Sequence, residues 1–364
     1  MRHVRGIGHL LTHRAVTGGV ADVVTGLLEA GDRLGVPSEV LAAAPEGSGR
    51  LTRSLPVPVL PVEGWPALRA RLPELSAVVL HGVFAPAAQR VARQVLATPG
   101  APPLLAFPHD AYDDGLFGAH RLRKEAWFHA LERPTLRRTA GVLVTAPSHA
   151  GWLRSRGVHV PVVVRPPGLR PAALATAREV ARRREGRRPG TDLLFLGRWD
   201  VEEKGLDVLF EALAALPEGT ARLRLAGLPL GVEPAVEALL ARFRAPVELV
   251  GRVDDIWAEL ARADLLVLPS RKEGFGLAAL QALAAGVPVL LSDRAGLGEH
   301  VGPDEGIRLV APEVAAVRDG LAGALRDLPA LTDGARRFSA GRAASFSDDD
   351  LLRGLLELVP GAGR

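Results

Sequence analysis

Apolar and polar positions along the chain follow two alternating periods. Short apolar runs, "AVVLHG", "PLLAFPH", "GVLVTA" and "VPVVVRP", have the length of buried strands and end at turn or helix signals. "HVRGIG" reads as a strand ahead of them. Between the runs, apolar residues recur every three or four positions, as at Val20, Val23, Val24, Leu27 and Leu28. Such strand–helix alternation predicts a parallel sheet covered on both faces.

The pattern breaks at "PAALATAREVARRREGRRPGTD", Pro171 to Asp192. This charged stretch, rich in arginine and ending near Pro-Gly, reads as the crossing between two domains. A second series follows: "LLFLG", "RLRLAG", "VELVG", "LLVLP", "PVLLS" and "IRLVA", each leading into a helix. The expected fold class is α/β, with two doubly wound parallel-sheet domains facing across a cleft. The expected boundaries are 1–170, 171–345 and a terminal helix at 346–364. No short fixed period repeats, which argues against a solenoid.

Composition narrows this picture. With 364 residues the chain exceeds one typical domain, and 48% apolar content supplies sizeable cores. It has no cysteine, so disulfides, thiolate zinc sites and thiol nucleophiles are excluded. The basic N-terminus lacks an apolar core of signal length, and no run is long enough to span a bilayer. A cytoplasmic enzyme is the expectation. Net charge is only +4 and the cations are nearly all arginine. Lys124, Lys204 and Lys272 are the three lysines, and two of them fall in motifs.

Ligands in open parallel sheets bind beyond the carboxyl ends of the strands. Four turns there carry candidate chemistry. In "LLFLGRWDVEEKGLDVL", Arg198 and Lys204 flank a strand-to-helix loop, and two cations so placed suit a diphosphate. In "LLVLPSRKEGFGL", Gly274 and Gly276 permit close backbone approach, and the N–H groups near Gly276 and Leu277 suit phosphate oxygens. Glu273 would be repelled by phosphate, so hydroxyls are its fitting partners; a helix N-terminal acid is the bland alternative. Gly18 and Gly19 precede the first helix without a full dinucleotide fingerprint. His109 and Asp110 stand just past a strand, while His81 ends another strand and reads as structural. The run Asp348 to Asp350 reads as a helix cap and not a metal site.

Together, "GRWDVEEKGLDVL" and "EGFGLAALQALAAGVPVLLSD" resemble the donor-site signatures of the retaining glycosyltransferases of family four. The resemblance is strong from Leu193 to Asp293 and looser over "FPHDAYDDG", "VVVRPPG" and the last helix. It implies the GT-B architecture of two Rossmann-like domains and a hexosyltransferase that needs no metal or other cofactor. It further implies that Arg198 and Lys204 hold the nucleotide diphosphate and Glu273 binds donor-sugar hydroxyls. The amides at Gly276 and Leu277, with Gly274, Phe275 and the Gly18–Gly19 turn, would line the donor. His109 would sit near the transferred sugar, and Arg252 and Val253 near the base. The chain departs from the family at Gln281, where a second glutamate usually binds the ribose diol, and at Asp110 and Pro167.

The implied partners are a nucleotide-diphosphate-sugar and a glycan, lipid or small-molecule acceptor. A nucleotide-sugar epimerase on the same fold and a non-catalytic binding partner are the alternatives, the latter motivated by Gln281. Nucleic acid is not expected, since aromatic residues make up 4% and do not interleave with the basic ones. In "RLRKEAWFHALERPTLRR", cations alternate with Trp127, Phe128 and Leu131. That pattern fits a helix packed on the sheet better than a peripheral contact at the inner face of a membrane.

Overall fold

A computed structural model describes residues 6–12, 18–42, 59–61, 64–110, 121–186, 190–229, 231–244 and 246–361. The chain divides into two units, Met1–Arg170 with Ser347–Arg364, and Pro171–Phe346.

The first unit carries β1 (Gly6–Leu11), β2 (Ser38–Ala42), β3 (Val59–Pro61), β4 (Leu75–His81), β5 (Leu104–Phe107), β6 (Gly141–Val144) and β7 (Val162–Val164). They form one seven-stranded sheet in the order β3-β2-β1-β4-β5-β6-β7, parallel throughout. Leu10, Leu41, Val78, Leu80, Ala106 and Val142 form the centre of its core. A fully buried leucine or valine stabilises by ~1.5–3 kcal/mol, so these runs fix the sheet. The helix Gly19–Leu34 buries Val23, Val24 and Leu27, as the spacing predicts.

The second unit carries β8 (Asp192–Leu196), β9 (Arg222–Ala226), β10 (Val247–Gly251), β11 (Leu265–Leu268), β12 (Val289–Ser292) and β13 (Ile307–Val310). Its six-stranded sheet runs β10-β9-β8-β11-β12-β13, also all parallel. Both sheets reverse their winding once, between β1 and β4 in the first and between β8 and β11 in the second. These reversals are the switch points where doubly wound folds open a crevice for ligands.

The structure departs from the sequence reading in several places. β1 runs on to Leu11, beyond "HVRGIG", and so includes His9. β2 and β3 were not anticipated; "SEVLA" starts with two polar residues and is only half covered. β7 was expected to be buried but is half exposed along its length. The stretch read as a crossing is largely a helix, Pro171–Arg183. Ala177 and Val180, one turn apart, are buried on its inner face, and it packs on the helices Leu277–Ala284 and Leu328–Ala340. The residue capping the helix Asp348–Glu357 is Ser347, whose hydroxyl accepts from Asp350 N–H; the aspartates fill the first turn behind it. No helix among the described residues is long and apolar enough to cross a membrane.

Candidate functional site

In the second unit, the loops after β8 and β11 meet at the switch point. Lys204 Nζ donates to Glu273 Oε2 at 2.8 Å, and both side chains are only 18% exposed. Ser270 Oγ donates to the same oxygen at 3.4 Å. Glu273 Oε1 has no hydrogen-bond partner among the described residues, and Lys204 uses one of three N–H donors. The pair therefore offers one free carboxylate oxygen and two free ammonium protons side by side.

A glycine holds these loops together. Gly205, directly after Lys204, has φ +67°, and a Cβ there would collide with the Pro269 carbonyl oxygen. Gly205→Ala is expected to cost about 2–4 kcal/mol, from positive φ and displacement of the 269–273 loop. Thermal unfolding and donor binding of that variant would check it: both should fall together.

Arg198 belongs to an adjoining ion-pair group. Its Nη2 donates to Glu203 Oε2 at 2.7 Å, and Lys272 Nζ reaches Glu203 Oε1 at 3.4 Å. Burial works to raise the Glu203 carboxyl, but Lys272 and Arg198 outweigh it and hold it below the usual carboxylate value. Backbone joins the loops as well, Lys272 N–H donating to Glu203 C=O at 3.0 Å. Arg271 closes the third tie with a two-pronged bond to Asp207 at 2.8 and 2.7 Å.

Gly274, Phe275 and Gly276 complete the turn. Phe275 is buried, its carbonyl accepting from Leu297 N–H at 2.9 Å. Gly276 caps the helix Leu277–Ala284 with φ +99°. The N–H groups of Leu277 and Ala278 have no carbonyl within that helix to bond, which leaves them as donors at its positive end. Gln281 lies one turn further on, half buried, its amide without a hydrogen-bond partner among the described residues. Arg252 and Val253 follow β10, an edge strand two places from β8. Arg252 is exposed and lies 3.7 Å from Asp254.

In the first unit, Gly18 caps the helix Gly19–Leu34 with φ +66°, its carbonyl accepting from Asp22 N–H at 3.2 Å. His109 adopts φ +64°, rare for a side-chain-bearing residue and typical of positions held for a purpose. Its ring stacks on Phe107 with centroids 4.0 Å apart. Its Nε2 lies 2.6 Å from His81 Nδ1, and His81 Nε2 lies 3.0 Å from His9 Nδ1. Three imidazoles thus run in line from β1 through the end of β4 to the turn after β5, at the first unit's switch point. Burial is the main force on all three. It pushes His9 down to about 4 and His109 to about 3, and His81 well below its ordinary value. Asp110 adjoins this turn; the rest of "DAYDDG" lies outside the described residues.

Among the expected residues, Lys204 and Glu273 touch, Arg198 joins the adjoining group, and Gly274 to Leu277 frame them. Sequence reasoning missed Glu203, Gly205 and Ser270 here, and His9 in the first unit. The scarcity of lysine was a usable signal for Lys272; nothing local marked the others.

Comparison with known proteins gives these sites a context. Residues 17–173 match the family described as Glycosyltransferase Family 4, and residues 190–328 match Glycosyl transferases group 1. A glycogen synthase of Mycobacterium tuberculosis is 39% identical over 180 residues, which are 45% of this chain and 41% of that protein. The chain thus spans about two fifths of the length of that curated relative. A sucrose-phosphate synthase structure from Thermosynechococcus elongatus aligns over 97% of this chain and 98% of its own, with TM-score 0.75 and 22% identity. Anabaena HepE, solved with UDP and glucose, aligns over 99% of this chain and 100% of its own, with TM-score 0.71 and 16% identity. With one family match over each of its two units, and with these folds as neighbours, the chain belongs to glycosyltransferase family four and has the GT-B fold.

Proposed function

We propose that this protein transfers a sugar from a nucleoside-diphosphate sugar to an acceptor, with retention of anomeric configuration and without a metal ion. The observation that carries the reading is the Lys204–Glu273 pair at the switch point, with an unused carboxylate oxygen beside unused ammonium protons. Glu273 Oε1 accepts from a donor-sugar hydroxyl. Lys204, Arg198 and the Leu277 helix end receive the diphosphate. Departure of the sugar builds negative charge on that diphosphate and positive charge on the anomeric carbon. Fixed cations and N–H dipoles already aimed at the leaving group stabilise this charge without reorganising. They supply the positive charge that a divalent ion would otherwise bring.

His109 hydrogen-bonds the transferred sugar. No side chain is assigned as nucleophile: the acceptor attacks from the face the phosphate leaves, and the phosphate oxygen takes the acceptor's proton. HepE was solved with UDP, so uridine diphosphate sugars are the first donors to test. The acceptor is a glycan, a lipid or a small molecule.

Gln281 favours a second reading, a partner that binds nucleotide sugar without turning it over. A neutral amide offers a ribose diol weaker hydrogen bonds than a carboxylate, ~0.5–1.5 against ~1.5–3 kcal/mol. Calorimetric titration of UDP, GDP, ADP and dTDP should find one that binds, and Gln281→Glu should tighten it about tenfold, the equivalent of ~1.4 kcal/mol. Donor consumption with chelator present, and the anomer formed, then test the catalytic reading. An α-linked product from an α-donor is expected; a trapped glycosyl-enzyme adduct would overturn the retaining step. If no nucleotide binds to either form, the donor-site reading fails.

A further inference from the structure

We infer that His81 and His9 are positioning residues that fix His109 as the Nδ1–H tautomer, so that it meets its ligand as a neutral hydrogen-bond donor. The inference deepens the proposed function and rests on the reading that His109 hydrogen-bonds the transferred sugar.

Each neutral imidazole has one donor and one acceptor nitrogen, so a line of three rings has two self-consistent proton orders. In the first, His109 Nε2 donates to His81 Nδ1, and His81 Nε2 donates to His9 Nδ1. His9 must then carry its proton on Nε2. In the second, His9 Nδ1 donates to His81 Nε2 and His81 Nδ1 donates to His109 Nε2. His109 must then carry its proton on Nδ1.

The far end of the line decides between them. His9 is fully buried in the middle of β1, and its Nε2 has no hydrogen-bond partner among the described residues. The first order buries an N–H there with nothing to accept it. The second leaves only a lone pair. Orphaned buried N–H groups are rarer than under-satisfied buried acceptors. The second order is therefore favoured, and its consequence is felt two rings away, where His109 Nδ1–H points at no described protein acceptor.

The other geometry is consistent. Burial disfavours a charge on all three rings, so the line carries no extra proton near neutral pH. Phe107 stacks on His109 and lies 5.8 Å from His81, centroid to centroid, which limits ring rotation. The φ of His109 fixes where its ring starts. A donor at Nδ1 calls for an oxygen acceptor, such as a hydroxyl oxygen of the transferred sugar. The proton borne by one nitrogen of a histidine is set by the hydrogen bond the other makes; here that bond is itself set by a third ring.

The test uses the full chain labelled with ¹⁵N-histidine. Long-range proton–nitrogen spectra near pH 7.5, assigned with His109→Gln, report the tautomer. The expected result is a protonated Nδ1 and a bare Nε2 on His109; a protonated Nε2 in the wild type overturns the inference without any variant at positions 9 or 81. His81→Leu should move the His109 proton toward Nε2 and lower kcat about 10–100-fold, the scale of losing an outer-shell partner. KM should change much less. His81→Asn places an amide donor near the position of Nδ1 and should restore both tautomer and rate to within a few fold. An unchanged tautomer in His81→Leu, or equal losses in the two variants, overturns it. If the wild type transfers no sugar, the proposed function fails while the tautomer spectra still decide the proton order.

Discussion

Lys204→Ala is expected to lower sugar transfer by about 10²–10³, the scale of removing one preorganised donor to developing negative charge. The ammonium sits 2.8 Å from Glu273 and has two protons to spare, so it serves the carboxylate and the leaving diphosphate together. Its removal also strands a half-buried carboxylate. Breaking a buried pair costs ~3–5 kcal/mol, but these side chains keep 18% exposure and water screens them, so about 1–2 kcal/mol of stability is expected to go. Lys204→Arg should not rescue the rate, because a planar fork cannot replace a compact charge held between two oxygens. Glu273→Gln should fold normally and lose rate through the sugar hydroxyl bond. Donor kcat/KM and thermal unfolding, measured on the same preparations, separate the outcomes. A fall in melting temperature that accounts for the lost activity would make the pair a structural tie and remove the observation on which the proposed function stands.

That pair shows what the sequence revealed and what it withheld. Arg198, Lys204 and Glu273 were each visible because they sit in turns after apolar runs, and the family resemblance rests on those turns. Their partnership was not. Lys204 and Glu273 are 69 residues apart, and only the adjacency of β8 and β11 makes them neighbours. Phosphate would repel Glu273, which makes hydroxyls its fitting partners; the ammonium beside it satisfies one oxygen and leaves the other for that purpose. The histidine line was less legible still. His81 reads alone as the last residue of an apolar strand, and His9 fell beyond a strand expected to stop at Gly8. Register between β1 and β4, which no local pattern encodes, brings their rings together. The helix at 171–183 was obscured because its outer face is arginine and only Ala177 and Val180 mark the inner one. Strand identity follows from runs of local residues, whereas side-chain pairing follows from sheet order, and that is where reading along the chain stops.

Acid stability of the first unit is expected to fall in the wild type as pH drops below 6.5, more steeply in one variant and less steeply in another. His9 titrates at about 6.5 when unfolded and about 4 when folded. Its folded value is depressed, so its contribution is fully present above pH 6.5 and is lost as pH falls to 4. The size is about 3 kcal/mol. Asp348 works the other way. It is buried, and burial raises it from 3.8 to about 7 against the opposing pull of the Gly168 backbone. Its contribution is fully present below pH 3.8 and is lost as pH rises through 7, about 4 kcal/mol in all. His81 and His109 are depressed in the same direction as His9, so the three rings together outweigh Asp348 across this window, and each contribution is a large share of the ~5–15 kcal/mol that holds a typical domain. Asp348→Asn removes the opposing slope, so between pH 7 and pH 4 the opening free energy of β1 and β4, read by hydrogen exchange, should fall by about 4 kcal/mol more than in the wild type. His9→Leu removes one of the three histidine slopes, so the same amides should lose about 3 kcal/mol less protection than in the wild type as pH falls. If Asp348→Asn follows the wild-type profile, the Asp348 carboxyl ionises at an ordinary pH in the folded unit; if His9→Leu follows it, His9 is not held neutral by burial.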